Sequence, residues 1–119
     1  MTRTPSRLRL SRLAHATRSS LEKVYGYPRG ECYRWSNYVA CAILERNPSV
    51  DVWLSSGELL LGSSRHPHSW VEFEGWIMDI TADQFQRSTS RPLPPVWIKP
   101  VSSPAITHVA RLRRLVRHR

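Results

Sequence analysis

The sequence contains no long apolar run, only two cysteines and no acidic residue close to either end. A membrane-spanning helix needs about 18 or more consecutive apolar residues, so we expect no membrane span.

Cys32 and Cys41 lie nine residues apart on one predicted helix. That spacing corresponds to a rise of about 13.5 Å, which is too long for a disulfide. Two free thiols favour a reducing compartment, and we expect a cytoplasmic protein.

Charge is distributed unevenly along the chain, whose formal net charge is +9. Residues 1–19 and 101–119 each hold five arginines and no acid, whereas the segment between them holds eight Lys and Arg and all nine acids. The middle is therefore nearly neutral and both ends are basic. This distribution predicts cationic helices or tails on an ordinary globular body. It also leaves open that the Arg-rich ends bind nucleic acid or another polyanion.

Length and composition predict one folded domain covering residues 1–119. Hydrophobic residues make up 40% of the 119 residues and five residues are Trp, which is enough for a modest core without metals or disulfides. His66 and His68 resemble half of a metal site, but no second pair of ligands follows at a familiar spacing. We therefore expect neither a metal nor a cofactor.

The first part of the chain predicts two helices. Residues 1–25 form a basic amphipathic helix that ends where Gly26 and Pro28 break it. A second helix runs from Glu31 or Cys32 to Arg46 and is apolar on every side over 38–44, which indicates burial. Because Cys41 lies on the opposite side of this helix from Cys32, we expect it in the core.

The second part of the chain predicts short strands. Residues 52–54 and 58–61 form two strands around a turn at 55–57, one helical turn follows at 82–85, and a last strand covers 96–98. Over 101–119 we expect a basic C-terminal helix or tail. Apolar residues recur there at helical spacing, namely Ile106, Val109, Leu112 and Val116. The expected fold is α+β, with N-terminal helices packed on a small antiparallel sheet and a core over 26–100.

The stretch 68–81 predicts a hairpin with a two-residue turn at Glu74-Gly75, because Gly accepts the positive φ that a tight turn needs. In this register Phe73 faces Trp76, and one face of the hairpin is almost entirely apolar. His68 and Asp79 share the other face as diagonal neighbours about 7 Å apart. An imidazole and a carboxylate at this separation can meet.

Cys32 is the candidate nucleophile for this His–Asp pair. A thiol at a helix N-terminus lies at the positive end of the helix dipole, which lowers its pKa and favours the thiolate. The N–H groups there can also stabilise an oxyanion. We therefore predict a catalytic triad in which Cys32 attacks, His68 transfers the proton and Asp79 orients the ring.

Three segments resemble the transglutaminase-like branch of the papain-like cysteine enzymes. They are Gly30-Glu31-Cys32 followed by Ser36, then His68-Ser69-Trp70-Val71-Glu72, and finally Trp76-Ile77-Met78-Asp79-Ile80-Thr81. The resemblance covers about residues 29–85 and leaves both basic ends outside it. It implies a papain-like α+β fold in which the helix of Cys32 packs on a sheet that carries His68 and Asp79. No Gln lies upstream of Cys32 in this chain, so the side-chain oxyanion donor of papain-type enzymes is missing. Trp35 and Trp70 are the candidates to replace it.

The resemblance implies a thiol-dependent enzyme that acts on amide bonds of a peptide or protein substrate. Peptidase, amidase, deamidase and transglutaminase activities share an acyl-enzyme intermediate, and the sequence does not choose among them. The alternative is a non-catalytic domain on the same fold whose basic ends bind nucleic acid or another polyanion.

Overall fold

In a computed structural model of the chain, the described residues are 7–27 and 29–117, and they form helices and one antiparallel sheet. The α+β prediction is confirmed. The helices are α1 (Arg7–Tyr25), α2 (Cys32–Arg46) and a 3-10 helix (Ala82–Ser88). The strands are β1 (Val52–Leu61), β2 (Ser64–Phe73), β3 (Trp76–Asp79), β4 (Trp97–Pro100) and β5 (His108–Val116). None of these helices combines the length and apolarity needed to cross a bilayer.

The five strands are ordered β4-β3-β2-β1-β5, and every neighbouring pair is antiparallel. The hairpin between β2 and β3 has the predicted register, with Phe73 opposite Trp76. Its two turn residues, Glu74 and Gly75, have φ angles of 50° and 81°. Two consecutive positive φ angles define the turn whose twist matches that of the flanking strands.

The helices cover one face of the sheet, where most of the core lies. The buried residues of α2 include Trp35, Val39 and Ile43, which pack with apolar side chains from α1 and all five strands. Each strand contributes alternate residues to this face, for example Val71 and Phe73 of β2. The alternation sends the intervening residues of β2, including His68 and Trp70, away from this core cluster.

The sheet is strongly curved, so that its two edge strands approach each other. In a flat sheet β4 and β5 would be about 19 Å apart, because four strand spacings separate them. Instead the rings of Trp97 on β4 and His108 on β5 are 5.1 Å apart between centroids. Lys99 of β4 also donates hydrogen bonds to the backbone oxygen of Ala105 and to Thr107 Oγ1, at 2.6 and 2.8 Å. The curvature therefore closes the face opposite the helices into a partly enclosed concave surface.

The turn predicted at 55–57 is wrong, because these residues lie inside the continuous strand β1. β1 pairs along its full length with β2 and over 52–59 with β5, where the register shifts between Ser56 and Gly57. A Cβ on Gly57 would lie 2.0 Å from the carbonyl oxygen of Val109. Glycine is required here by the close approach of β5, and it does not signal a turn.

The predicted C-terminal helix is also wrong, because residues 108–116 form the strand β5. The helical spacing of the apolar residues over 106–116 is overridden by the free edge of β1, whose backbone N–H and C=O groups need partners. Two arginines of β5 then form ion pairs across the sheet. Arg111 pairs with Glu58 and Arg113 with Glu72, each at 2.9 Å.

Arg18 connects α1 to the segment that follows β3. Only 4% of this residue is exposed, although it is a charged residue of a basic helix. Its guanidinium donates to the backbone oxygens of Ile80 and Pro95 and to both carboxylate oxygens of Asp83. A buried guanidinium requires such partners, because desolvation of an unpaired charge is costly.

Candidate active site

The N-terminus of α2 presents Cys32, a half-buried free thiol, as the first residue of the helix. Glu31, at the position before it, makes no side-chain hydrogen bond to the helix backbone. The first N–H groups of the helix are thus not capped by this side chain. They are available to a negative charge at the sulfur or at a nearby oxygen.

A free stretch of the β2 edge receives this end of α2. β3 pairs only with residues 71–73 of β2, so the edge at Ser69 is not covered by a strand. Ser36 Oγ donates to the Ser69 carbonyl oxygen at 3.2 Å, and the Ser69 backbone N–H interacts with Cys32. These contacts fix α2 against β2 immediately beside His68.

His68 and Asp79 are in hydrogen-bond contact on the concave face. His68 Nε2 lies 2.8 Å from Asp79 Oδ2, and both side chains are fully buried. The other carboxylate oxygen, Oδ1, accepts the backbone N–H of Thr81 at 3.0 Å. Because an ionised carboxylate only accepts hydrogen bonds, the proton in the His68 contact is on Nε2.

A second histidine, His108, also contacts Asp79, and sequence reasoning missed it. His108 Nε2 lies 2.8 Å from the same Oδ2 atom, and Thr107 Oγ1 lies 2.8 Å from His108 Nδ1. The ring packs edge-on against Trp70 and Trp97, with centroid distances of 4.9 and 5.1 Å. No sequence pattern around His108 indicates this contact, because only the curvature of the sheet brings β5 to Asp79.

The charges of this cluster determine the protonation states of His68 and Asp79. Burial alone would raise the pKa of Asp79, but the charge of His68 and hydrogen bonds from His108 and His68 outweigh it, so this pKa lies far below its usual range. Burial alone would lower the pKa of His68, but Asp79 and then Cys32 outweigh it and raise this pKa to about 10. His68 is therefore an imidazolium at neutral pH.

Cys32 supplies the charge that complements this imidazolium. Burial alone would raise the pKa of the thiol, but its interactions with His68 and with the Ser69 N–H outweigh burial, and the net pKa is lowered. The other ring nitrogen of His68, Nδ1, is buried and has no hydrogen-bond partner within the described residues. Since Nε2 is engaged by Asp79, Nδ1 is the nitrogen left to interact with the thiolate.

Glu72 holds Trp70 in place behind the two histidines. Its carboxylate accepts hydrogen bonds from Ser55 Oγ at 2.6 Å, Trp70 Nε1 at 3.3 Å and Arg113 at 2.9 Å. The Trp70 indole N–H is therefore occupied, which removes it as an oxyanion donor. Trp35 Nε1 is buried and has no hydrogen-bond partner within residues 7–27 and 29–117.

Cys41 is exposed, so its predicted place in the core is wrong. The buried side of α2 is defined by residues such as Ala40 and Leu44, and Cys41 projects away from it. Within the described part of the chain, no cluster of three or more His, Cys, Asp or Glu side chains is arranged to hold a metal ion. Both thiols are free.

The chain matches no protein-family model, no curated protein and no solved structure with which it was compared.

Proposed function

We propose that this protein is a thiol-dependent acyl-transfer enzyme that acts on amide bonds through Cys32, His68 and Asp79. The observation that carries the proposal is the buried Asp79–His68 pair beside a thiol of lowered pKa at a helix N-terminus. Acyl transfer requires a nucleophile, a base that moves its proton and a carboxylate that orients the base, and these three residues are of the types that supply those roles. The motifs that resemble the transglutaminase-like cysteine enzymes agree with this assignment.

In the proposed reaction, the Cys32 thiolate attacks the carbonyl carbon of the amide. The carbonyl oxygen takes the negative charge, and the N–H groups at the start of α2 stabilise it. The C–N bond then breaks as His68 gives its Nδ1 proton to the leaving nitrogen, and a thioester on Cys32 remains. Water or an amine next attacks the thioester, loses its proton to His68 and releases Cys32 as the thiolate.

The nucleophile that resolves the thioester separates the peptidase, amidase and deamidase activities from the transglutaminase activity. In the first three, water attacks, and they differ in which amide is cleaved. In transfer, an amine attacks and a new amide forms. The same proposal includes a peptide or protein substrate. It also includes a reducing compartment such as the cytoplasm, because the mechanism requires a free thiol.

Alkylation by iodoacetamide at about pH 6, followed by peptide mapping of the two cysteines, tests the proposal. We expect Cys32 to react much faster than Cys41, although Cys41 is the more exposed thiol, because the lowered pKa of Cys32 favours its reactive thiolate form. His68→Ala should slow the reaction of Cys32. His66→Ala is the matched control, because His66 lies on the same strand and contacts Phe85 and Ser64 instead.

Equal and slow labelling of both cysteines would reject the enzyme proposal. A second measurement uses p-nitrophenyl acetate, whose acyl group should accumulate on Cys32 and be absent from Cys32→Ser. Acetylation confined to Cys41 would count against the assignment of the nucleophile.

Binding of nucleic acid or another polyanion is the second candidate function. Arginines stack on exposed tyrosines on one surface, with the guanidinium carbon of Arg34 5.1 Å from the ring centroid of Tyr25 and that of Arg114 5.8 Å from Tyr33. These tyrosines are 46% and 50% exposed, respectively. Aromatic faces combined with cations suit the bases and phosphates of a single strand.

The salt dependence of binding to a generic RNA oligonucleotide tests this second candidate. We expect affinity to fall steeply with salt and to weaken in Arg114→Gln. Arg111→Gln is the control of equal charge, because Arg111 already pairs with Glu58. Absence of binding at low salt would reject this function.

A further inference from the structure

A cavity of about 570 Å³ lies beside the N-terminus of α2, between the loop that precedes Cys32 and the 3-10 helix that follows β3. Its volume falls within the range of roughly 300–1,000 Å³ that is typical of small-ligand sites. Tyr27, Arg29 and Gly30 line it from the loop, and Asp83, Gln84 and Arg87 from the 3-10 helix. The catalytic scheme described above uses none of these side chains.

Hydrogen bonds between the two segments hold the walls of this cavity in place. The Gly30 N–H donates to Gln84 Oε1 at 3.0 Å, and the Tyr27 hydroxyl donates to the Asp83 carbonyl oxygen at 2.8 Å. The segments are distant in sequence, so the cavity depends on the tertiary structure. The shape of the cavity is therefore set by the packing of the two segments and not by the conformation of one side chain.

The cavity carries a net positive charge. Its one acidic residue, Asp83, already receives two hydrogen bonds from Arg18, at 2.8 and 2.9 Å, which neutralise its carboxylate. Neither Arg29 nor Arg87 forms an ion pair with a carboxylate within residues 7–27 and 29–117. Two guanidinium groups therefore remain available to an anion.

Gln84 lies in the wall of the same cavity. Its Oε1 atom is held by Gly30, while its Nε2 atom is buried and has no hydrogen-bond partner within the described residues. Gln84 therefore fixes the loop against the 3-10 helix. The two arginines supply the donors that match the acceptor oxygens of a carboxylate or a phosphate.

The cavity is close to the sulfur that the proposed mechanism uses. Gly30, on its wall, precedes Cys32 by two residues, so their Cα atoms are at most about 7 Å apart. A substrate whose amide lies at Cys32 can therefore place an adjoining group in the cavity.

We propose that this cavity binds an anionic group of the substrate, next to the amide that Cys32 attacks. The proposal rests on the function proposed above and deepens it, because it names the chemical class of the substrate. A carboxylate, from an acidic side chain or a chain terminus, and a phosphate share the chemistry that the cavity recognises.

The first experiment compares the alkylation of Cys32 by iodoacetate, which is anionic, with alkylation by neutral iodoacetamide of similar size. Arg29→Gln and Arg87→Gln should each slow the iodoacetate reaction about threefold, as Coulomb's law gives for unit charges about 7 Å apart in water. Both variants should slow the reaction with iodoacetamide, which carries no charge, much less than the reaction with iodoacetate. The effect should disappear at about 1 M salt, where screening acts within about 3 Å.

Arg46→Gln is the matched control. It removes the same charge from an exposed residue at the other end of α2, about 21 Å along the helix axis. An equal slowing of iodoacetate by Arg46→Gln, or an equal slowing of both reagents by Arg87→Gln, would overturn the proposal.

The second experiment is independent of the thiol, so that failure of the cavity and failure of the enzyme proposal are distinguishable. In NMR titrations of the full chain, succinate or inorganic phosphate should shift the Gly30 amide and the Gln84 side-chain amide, and Arg87→Gln should abolish the shifts. Stronger shifts with succinate assign the site to a carboxylate, and stronger shifts with phosphate assign it to a phosphate. Absence of shifts with both anions would reject the site, whatever the reactivity of Cys32.

Discussion

At the scale of single residues, Asp79 is the most highly connected group of the candidate site. Its two carboxylate oxygens accept hydrogen bonds from His68, His108 and the Thr81 backbone, and its side chain is fully buried. A continuous chain of hydrogen bonds leads from Lys99 through Thr107 to His108 and on to Asp79. Because Lys99 only donates and the carboxylate only accepts, this chain is satisfied when His108 accepts from Thr107 at Nδ1 and donates to Asp79 from Nε2.

His108→Phe is expected to weaken the site while preserving its packing. The phenyl ring still fills the space between Trp70 and Trp97, but Asp79 loses one of three donors. We expect the free energy of unfolding to fall by about 1.5–3 kcal/mol, the usual range for a hydrogen bond to a charged group. Cys32 should also be alkylated more slowly, because Asp79 holds the His68 ring less firmly.

Thr107→Val is the control for this variant, because it removes the hydrogen bonds of Thr107 Oγ1 with His108 Nδ1 and Lys99 Nζ but leaves the contact of His108 with Asp79 in place. Urea unfolding and alkylation rates are measured for both variants. If His108→Phe has no larger effect than Thr107→Val on either quantity, the contact with Asp79 is not important for the site.

At the scale of secondary-structure elements, the position of β1 between two long partners determines the shape of the sheet. β1 pairs with β2 along one edge and with β5 along the other, and the irregularity at Gly57 lets β5 approach closely. The same curved sheet carries His68 on β2 and His108 on β5. The geometry around Asp79 therefore depends on a glycine that contributes no side chain to it.

Gly57→Ala is expected to disrupt the pairing of β1 with β5. The new Cβ would lie 2.0 Å from the Val109 carbonyl oxygen, so the backbone must shift. We expect a loss of about 1–3 kcal/mol in unfolding free energy, typical of overpacking, together with faster hydrogen exchange of the β5 amides.

Gly62→Ala is the comparison, because it introduces the same methyl group in open space at a φ of 61°. It should cost about 1–2 kcal/mol through the left-handed backbone alone. The exchange of β5 should remain slow in this variant. Equal exchange of β5 in both variants would show that the close contact at Gly57 is tolerated.

At the scale of the whole molecule, the buried charges make stability depend on pH. The folded pKa of His68 is raised from 6.5 to about 10, so its contribution is complete below about pH 6.5 and is lost as pH rises towards 10. The folded pKa of Asp79 lies below its ordinary value of 3.8, so its contribution is present above that pH and is lost in acid. Cys32, whose pKa is lowered, contributes in the same sense as Asp79.

Cys32→Ser isolates the effect of the His68–Asp79 pair. In this variant, we expect the free energy of unfolding to be highest between about pH 4 and 6.5 and to decrease on both sides. Urea unfolding over a pH series measures it. Adding His68→Gln should flatten the alkaline side, and a stability that rises from pH 6.5 to 9 in Cys32→Ser alone would contradict the charge assignment.

The parts of the fold that depend on turn residues and on the spacing of apolar residues were predictable from the sequence. The alternation of apolar residues along each strand and the turn residues Glu74-Gly75 predicted the β2–β3 hairpin in its correct register. The apolar composition of 38–44 predicted a buried helix from Glu31 or Cys32 to Arg46, and α2 has these bounds. Turn chemistry and periodicity act over a few residues, so the sequence expresses them directly.

The sequence by itself determined the α+β class, the buried helix that begins at Cys32, and the hairpin that carries His68 and Asp79. Only the tertiary structure decided that the basic C-terminal segment is a strand, that Gly57 lies within β1, and that Arg18 is buried. It also brought His108 to Asp79 across 29 residues, and Gln84 to Gly30 across 54. The physical reason is that these contacts arise from pairing at a free strand edge and from the curvature of the sheet. Both depend on residues distant in sequence, which no local pattern specifies.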